Sequence, residues 1–290
     1  MTARNKSVSA RGVFLDGAGE DAVLLLHGLT GAPVEMHPLG KRIHRASCTV
    51  YAPLIAGHGG GNDLLLSTRW TDWLTSAETA YDLLARDHRR VHVAGICLGA
   101  MLAVALAARR DVSRIAAYGP TFRYDGWSMP RIAGNRRLIL LLAGLPVLRS
   151  IGIDEHSPHG LKDDAIRTRV VTAQQRANGG GVDSFPLGAI RQLYQLANHV
   201  DRVARSVRAP TLICHALQDD ISSVANAHKL RARLGGDTQM LILDDSYHLV
   251  HLDREMEDVA AATAAFFQLP LAARLRRAEL RPTAMDSSPA

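Results

Sequence analysis

The sequence predicts an α/β protein: a mostly parallel sheet covered by helices on both faces, with a helical segment inserted between two of its strands. Short apolar runs alternate with helix-periodic runs over residues 22–118 and again over 211–267. The alternation breaks across residues 121–207. A pentapeptide rich in small residues, Gly95-Ile96-Cys97-Leu98-Gly99, stands where a strand hands over to a helix.

Residues 22–26 are wholly apolar, as expected of a strand buried on both faces, and the Gly-containing loop 27–31 follows. Residues 48–52 form a second β-rich run ending at Pro53. From 70 to 85 the apolar residues Trp70, Trp73, Leu74, Ala77, Tyr81 and Leu84 recur near helical spacing. A strand at 91–94, a small-residue helix at 101–108 and a strand at 114–118 continue the pattern. The middle segment instead holds an apolar stretch, 138–148, cut by Pro146, a triplet Gly179-Gly180-Gly181 and a helical run at 189–203. After Pro210 come a strand at 211–215, a helix at 224–234, a strand at 240–243 and a helix at 255–267. The chain thus divides into a core, 12–120 with 208–270, a helical cap insertion, 121–207, and a basic C-terminal tail, 271–290.

With 290 residues, 47% hydrophobic and 21% charged, the chain is suited to one large globular domain and excludes a disordered or fibrous class. Its net charge of +6 raises the question of nucleic acid. The positive charge is nearly all arginine, scattered along the chain, and no zinc-finger or aromatic-plus-basic RNA motif accompanies it. The expectation is a solvated surface and no nucleic-acid partner. Residues 1–12 carry no apolar run of the secretory kind, and the longest charge-free apolar run, 93–108, falls short of the roughly 18 residues of a membrane span. No stable membrane insertion is expected. Three cysteines, Cys48, Cys97 and Cys214, show neither pairing nor metal spacing, which points to a reducing compartment, the cytoplasm.

The pentapeptide around Cys97 carries the sharpest chemical signal. A G-x-nucleophile-x-G turn between strand and helix needs small neighbours, because the nucleophile sits in a strained turn where the two backbones nearly touch. Gly95, Gly99 and Ala100 meet that need. The nucleophile then lies at a helix N-terminus, whose positive end favours a thiolate. The loop His27-Gly28-Leu29-Thr30-Gly31 can aim the Leu29 N–H at an oxyanion, opposite the N–H of Leu98. Asp219 follows the strand at 211–215, with Asp220 in reserve, and Ser246-Tyr247-His248 follows the strand at 240–243. Nucleophile, acid, histidine is the chain order of the α/β-hydrolase triad. Asp244 and Asp245 precede the histidine too closely to serve as its acid.

Other residues of chemical type have simpler readings. Cys48 and Cys214 lie in apolar strands and read as core; His27 and His58 read as loop braces; Trp70 and Trp73 read as core; His156, His159 and His251 carry no motif. The Gly179–181 triplet has no following Lys-Ser/Thr and reads as a cap loop rather than a phosphate cradle. The apolar stretch 138–148 reads as a buried lid helix, with an acyl-site lining or a membrane-surface contact as alternatives.

On these motifs, with Gly57-His58-Gly59 and Asp72-Trp73, the sequence resembles the α/β-hydrolase superfamily, most of all its bacterial carboxylesterase and monoacylglycerol-lipase branch, over residues 22–267. The resemblance implies an eight-stranded, mostly parallel sheet and a cap over an acyl pocket. Two positions depart from that branch: Cys97 stands where serine is usual, and Tyr247 where the turn before the histidine usually has glycine. Cysteine at this turn is the habit of dienelactone hydrolases and polyhydroxyalkanoate synthases, which share the fold. The expected activity is hydrolysis of an acyl ester or thioester of a small-molecule substrate, with Cys97 as nucleophile, His248 as base, Asp219 orienting it, and no metal or organic cofactor. Acyl transfer through the same cysteine, and ligand binding without turnover, are the alternatives.

Overall fold

The computed structural model describes residues 12–154, 157–177 and 184–269. Its strands are β1 (Gly12–Leu15), β2 (Asp21–Leu26), β3 (Thr49–Pro53), β4 (Arg90–Ile96), β5 (Ile115–Tyr118), β6 (Gly152–Asp154), β7 (Ser184–Pro186), β8 (Thr211–Ala216) and β9 (Thr238–Leu243). Its α-helices are α1 (His37–His44), α2 (Gly61–Leu66), α3 (Trp70–Ala85), α4 (Leu98–Ala107), α5 (Arg131–Gly134), α6 (Arg136–Leu142), α7 (Asp164–Ala177), α8 (Leu187–Val203), α9 (Ala225–Arg233) and α10 (Met256–Phe266).

One sheet runs in the order β1-β3-β2-β4-β5-β8-β9. Strand β1 pairs antiparallel with β3, and every other neighbour in the sheet is parallel. The predicted α/β-hydrolase architecture is therefore present, with one correction: the described residues form seven strands in this sheet, not eight. Among the described residues no eighth strand pairs with either edge of the sheet, β1 or β9. The short edge strand β1, with all four residues half-buried, carries an apolar run of only three residues, Val13–Leu15, against the five of β2. The helix expected from residue 101 begins at Leu98, immediately after Cys97.

Helix α4 fills the centre of the fold. Its residues 98–106 are all buried, because it lies between the sheet strands β2, β4 and β5 and the helices α3 and α8. A helix apolar on every face needs partners on every side. Two glycines allow the approach: a Cβ on Gly95 would stand 2.4 Å from the Gly99 carbonyl carbon, and one on Gly99 would stand 2.1 Å from the Leu26 carbonyl oxygen.

Between β5 and β8 the chain leaves the sheet and carries α5 to α8 and the antiparallel pair β6–β7. Helix α8 returns to pack on α3 and α4. The 138–148 stretch is a short helix, α6, followed by turns, and its Leu141, Leu145 and Val147 are exposed. The buried-helix expectation holds there only for Ile139 and Ala143. The Gly179–181 triplet, His156 and the basic tail 271–290 lie outside the described residues. Among the described residues no helix is long and apolar enough to cross a membrane.

Candidate active site

The parallel register sets the ends of β2, β4, β8 and β9 along one edge of the sheet. Leu26 pairs with Gly95, Tyr118 with Cys214, and Ala216 with Leu243. The turns that follow, carrying residues 27–31, Cys97, Asp219 and His248, therefore emerge side by side at the carboxyl ends of the strands, where open α/β sheets place their ligands.

Cys97 links β4 to α4 with φ 54° and ψ −111°, in the left-handed region that a non-glycine residue avoids. Its N–H donates to the Tyr118 carbonyl at 3.0 Å, so β5 holds the turn in this conformation. The residue is 6% exposed and opens into a cavity shared with Leu29, Glu35, Tyr124, Phe185 and His248.

His248 Nδ1–H donates to Asp219 Oδ2 at 2.8 Å. That bond leaves the buried Nε2 as the nitrogen free to exchange a proton, with Cys97 as its neighbour. Burial pulls the imidazole pKa down, but the Asp219 carboxylate outweighs it, Cys97 is near enough to add to the effect, and the ring is held well above its usual value. Gly119, at φ +44°, leaves room for the ring: a Cβ there would stand 2.9 Å from His248 Cε1.

Asp219 is a fully enclosed carboxylate surrounded by donors. Its Oδ1 accepts the N–H groups of Ile221 at 2.9 Å and Ser222 at 2.7 Å. His215 Nε2 stands 3.2 Å from its Oδ2 while donating to the Ser222 carbonyl at 2.8 Å. Burial works to raise the Asp219 pKa, but the charge and hydrogen bond of His248 and the other donors prevail and hold it below the usual carboxylate value. Asp220 points elsewhere. Its Oδ2 accepts the Gly160 N–H at 2.9 Å and its Oδ1 the His248 N–H at 3.3 Å, so it ties the inserted segment to the histidine loop. Asp253 does the same, accepting from Lys162, Asp163 and Tyr247 backbone N–H groups at 2.8, 3.0 and 2.8 Å. Sequence reasoning passed over Asp253 because a lone acid after a histidine loop carries no motif. Tyr247, the departure from the glycine usual there, packs its ring edge-on against Trp127 at 5.5 Å.

In the loop after β2, His27 Nδ1–H donates to the Gly28 carbonyl at 2.9 Å and Nε2 accepts the Ile55 N–H at 3.2 Å. This fixes a neutral tautomer; burial, with His58 beside it, pushes its pKa down to about 3. His58 packs edge-on between His27 and Trp73, which matches the bracing role expected of both histidines. Leu98 opens α4, so its N–H has no helical carbonyl to meet. Neither it nor the Leu29 N–H is engaged by another backbone carbonyl among the described residues. Gly28 brings this loop against the strand-to-helix turn at residues 95–99, the nucleophile elbow, since a Cβ there would be 4.0 Å from Cys97 Cβ and 3.7 Å from Glu35 Oε1. Glu35 is a further residue that the motifs did not mark.

Cys48 and Cys214 are buried in the core, 1% and 0% exposed, and burial pushes the Cys48 thiol up to about 12 and Cys214 higher still. Neither lines the cavity, and all three thiols are unpaired.

Comparison with known proteins agrees with the architecture. The chain is 26% identical over 263 residues to a thermostable monoacylglycerol lipase from Bacillus sp. (strain H-257), covering 86% of this chain and 91% of that protein. It is likewise 26% identical to a monoacylglycerol lipase from Mycolicibacterium smegmatis, over 81% of this chain and 83% of that protein. The crystal structure of Paleococcus ferrophilus monoacylglycerol lipase superposes with a TM-score of 0.72 at 16% identity, over 88% of this chain and 97% of that one, a likeness of fold. The family described as serine aminopeptidase, S33 (Hydrolase_4), matches residues 18–255. The chain belongs to that family and is an enzyme of the α/β-hydrolase type, similar to the monoacylglycerol lipases and esterases.

Proposed function

We propose that this enzyme hydrolyses a small-molecule acyl ester or thioester through a Cys97–His248–Asp219 triad and an acyl-cysteine intermediate. The observation that carries the reading is His248, anchored to Asp219 at 2.8 Å and opening with Cys97 into one cavity. Asp219 holds the Nδ1–H tautomer and stabilises the imidazolium. Nε2 takes the Cys97 proton; the thiolate then attacks the substrate carbonyl carbon, and the N–H groups of Leu29 and Leu98 receive the negative charge on its oxygen. Collapse expels the leaving group, which takes the proton from Nε2, and leaves a thioester on Cys97. Water then gives a proton to Nε2, attacks the thioester, and releases the acid as the thiol is restored. No step needs a metal or an organic cofactor.

The names of the relatives suggest a monoacylglycerol-like ester as substrate. Residues 121–207 act in this reading as the cap, contributing Tyr124, His159, Val170 and Phe185 to the cavity wall. A cytoplasmic setting fits a reaction that depends on a free thiol.

Intact-mass analysis after exposure to p-nitrophenyl esters of several chain lengths tests the reading. An acyl adduct on the wild-type chain, absent in Cys97→Ala and long-lived in His248→Ala, supports it. Turnover that survives Cys97→Ala, or no adduct and no turnover with any ester, overturns it. Addition of an amine or alcohol acceptor separates hydrolysis from transfer, because only transfer yields the acylated acceptor.

A further inference from the structure

Glu35 sits in a 3-10 turn, Pro33–Met36, directly after the loop that precedes the elbow. Its Oε1 accepts the Gly28 N–H at 2.8 Å, one peptide before Leu29. The carboxyl group lies tight beneath the loop, since a Cβ on Gly31 would fall 2.2 Å from Oε2 and 2.4 Å from Oε1. The Gly31 N–H donates to the Gly28 carbonyl at 3.2 Å, which closes the turn over it. The remaining face of Glu35 opens into the cavity that holds Cys97 and His248.

The surroundings leave this carboxyl with little compensation. Cys97 faces the cavity from the elbow, His248 from the loop after β9, and Tyr124 and His159 from the inserted segment. Behind the loop stand His27 and His58, both held neutral by burial. Asp219 and Asp220 lie beyond His248. No lysine or arginine lines the cavity among the described residues, in a chain that carries 34 of them. Burial therefore pushes the Glu35 pKa up to about 7, against the Gly28 and Ala32 N–H groups and His248, which pull it down.

We propose that Glu35 is a positioning residue with electrostatic control of this site: its neutral carboxyl holds the Gly28–Leu29 loop in place, and its ionisation pushes back negative charge on the Cys97 sulfur and on an oxyanion at the Leu29 N–H. A protonated carboxyl still offers its carbonyl oxygen to Gly28, so the loop is held in both states. Only the charge changes, and it changes beside the two atoms where the proposed reaction develops negative charge. The inference rests on the reading of Cys97 as the reacting group, but the test of its electrostatic half does not depend on turnover.

Glu35→Gln keeps an oxygen for the Gly28 N–H and removes the ionisation, so it separates the two roles. The rate of Cys97 alkylation by iodoacetamide, read by peptide mass from about pH 5.5 to pH 8.5, reports the thiolate directly, with buried Cys48 and Cys214 as internal controls. The ratio of the Glu35→Gln rate to the wild-type rate is expected to be near one at the acid end and to rise by on the order of tenfold near pH 8. A ratio that stays flat with pH overturns the proposal, whether both rates are fast or both are negligible. Glu35→Ala, which loses the Gly28 contact, is expected to slow ester turnover even at the acid end, where Glu35→Gln matches wild type; equal turnover there removes the loop-holding half. If no ester acylates Cys97 yet the alkylation ratio rises, the ester-hydrolase reading fails and the electrostatic half of the Glu35 inference stands.

Discussion

His248 Nδ1 stands 2.8 Å from Asp219 Oδ2, and both side chains are almost fully enclosed. Taking an imidazole and a carboxylate out of water is costly unless they meet each other and further donors. Asp219 meets them: two backbone N–H groups on one oxygen, His248 and His215 at the other. The pair is therefore a fixed dipole aimed along the imidazole toward Nε2, and its strength comes from the turn 219–222 that follows β8.

Asp219→Asn keeps the shape and removes the charge. Turnover is expected to fall by on the order of 10³-fold or more, because the imidazolium loses its partner and the tautomer is no longer fixed. Stability should change with pH in a defined way. Asp219 is held below its usual value near 3.8, so its contribution is present above that pH and is lost as pH falls through the depressed value. His248 is held above its usual value near 6.5, so its contribution is present below that pH and is lost as pH rises through the raised value. Urea denaturation should therefore show the largest gap between wild type and variant, about 3 kcal/mol, between roughly pH 4 and 6.5. A gap independent of pH would contradict the charge pairing.

The backbone at Cys97 makes a separate prediction. A side chain at φ 54° and ψ −111° carries strain of about 1–3 kcal/mol, which alanine retains and glycine relieves. Glycine gives back part of that gain as unfolded-state entropy, about 0.5–1 kcal/mol. Cys97→Gly is thus expected to be about 1 kcal/mol more stable than Cys97→Ala in urea, with both variants unable to form an acyl adduct. Equal stability of the two would mean that the elbow stores no strain.

How far the site was legible depended on whether a residue's task is local. The elbow was readable because its demands, small residues on both sides and a strand-to-helix switch, are written within five positions, 95–99. The inner strands were readable because burial on both faces requires an unbroken apolar run, as in β2 with every residue buried. Strand β1 was not, since its apolar run of three residues, Val13–Leu15, is too short to mark a strand. Adjacent Asp219 and Asp220 could not be told apart because consecutive residues project in different directions and only the fold shows that one meets the His248 ring and the other the Gly160 N–H. Glu35 was invisible for the same reason: its partner Gly28 lies seven residues back, across a turn.

Gly119 supplies a test of how closely His248 is held. A Cβ there would press on the imidazole, 2.9 Å from Cε1 and 3.1 Å from Nδ1, and the residue's φ is +44°. Gly119→Ala should cost about 1–2 kcal/mol of stability from the left-handed backbone. The larger effect should be on kcat/KM, a loss on the order of 10²-fold, because the ring must shift and a displacement of roughly 1 Å at the reacting group is that expensive. A variant that loses stability while keeping kcat/KM would show that the ring tolerates displacement.

The cavity over Cys97 is about 50 Å³, far below the roughly 300 Å³ or more of a typical ligand pocket. Val170 of α7 and Phe185 of β7 form part of its wall. A cavity of this size has room for a short acyl group, and a long one needs its wall to move. Val170→Ala removes two methyl groups from a half-buried position, at an expected stability cost of about 1 kcal/mol. With the acyl chain laid along this wall, the ratio of kcat/KM for p-nitrophenyl hexanoate to that for the acetate should rise severalfold in this variant, since the change enlarges the cavity and leaves Cys97, His248 and Asp219 untouched. Phe185→Ala should move the optimum further toward long chains, with a greater loss of stability because the ring is 6% exposed and packs against Tyr124 at 5.4 Å between centroids. An unchanged hexanoate-to-acetate ratio in both variants would place the acyl chain along another wall of the cavity.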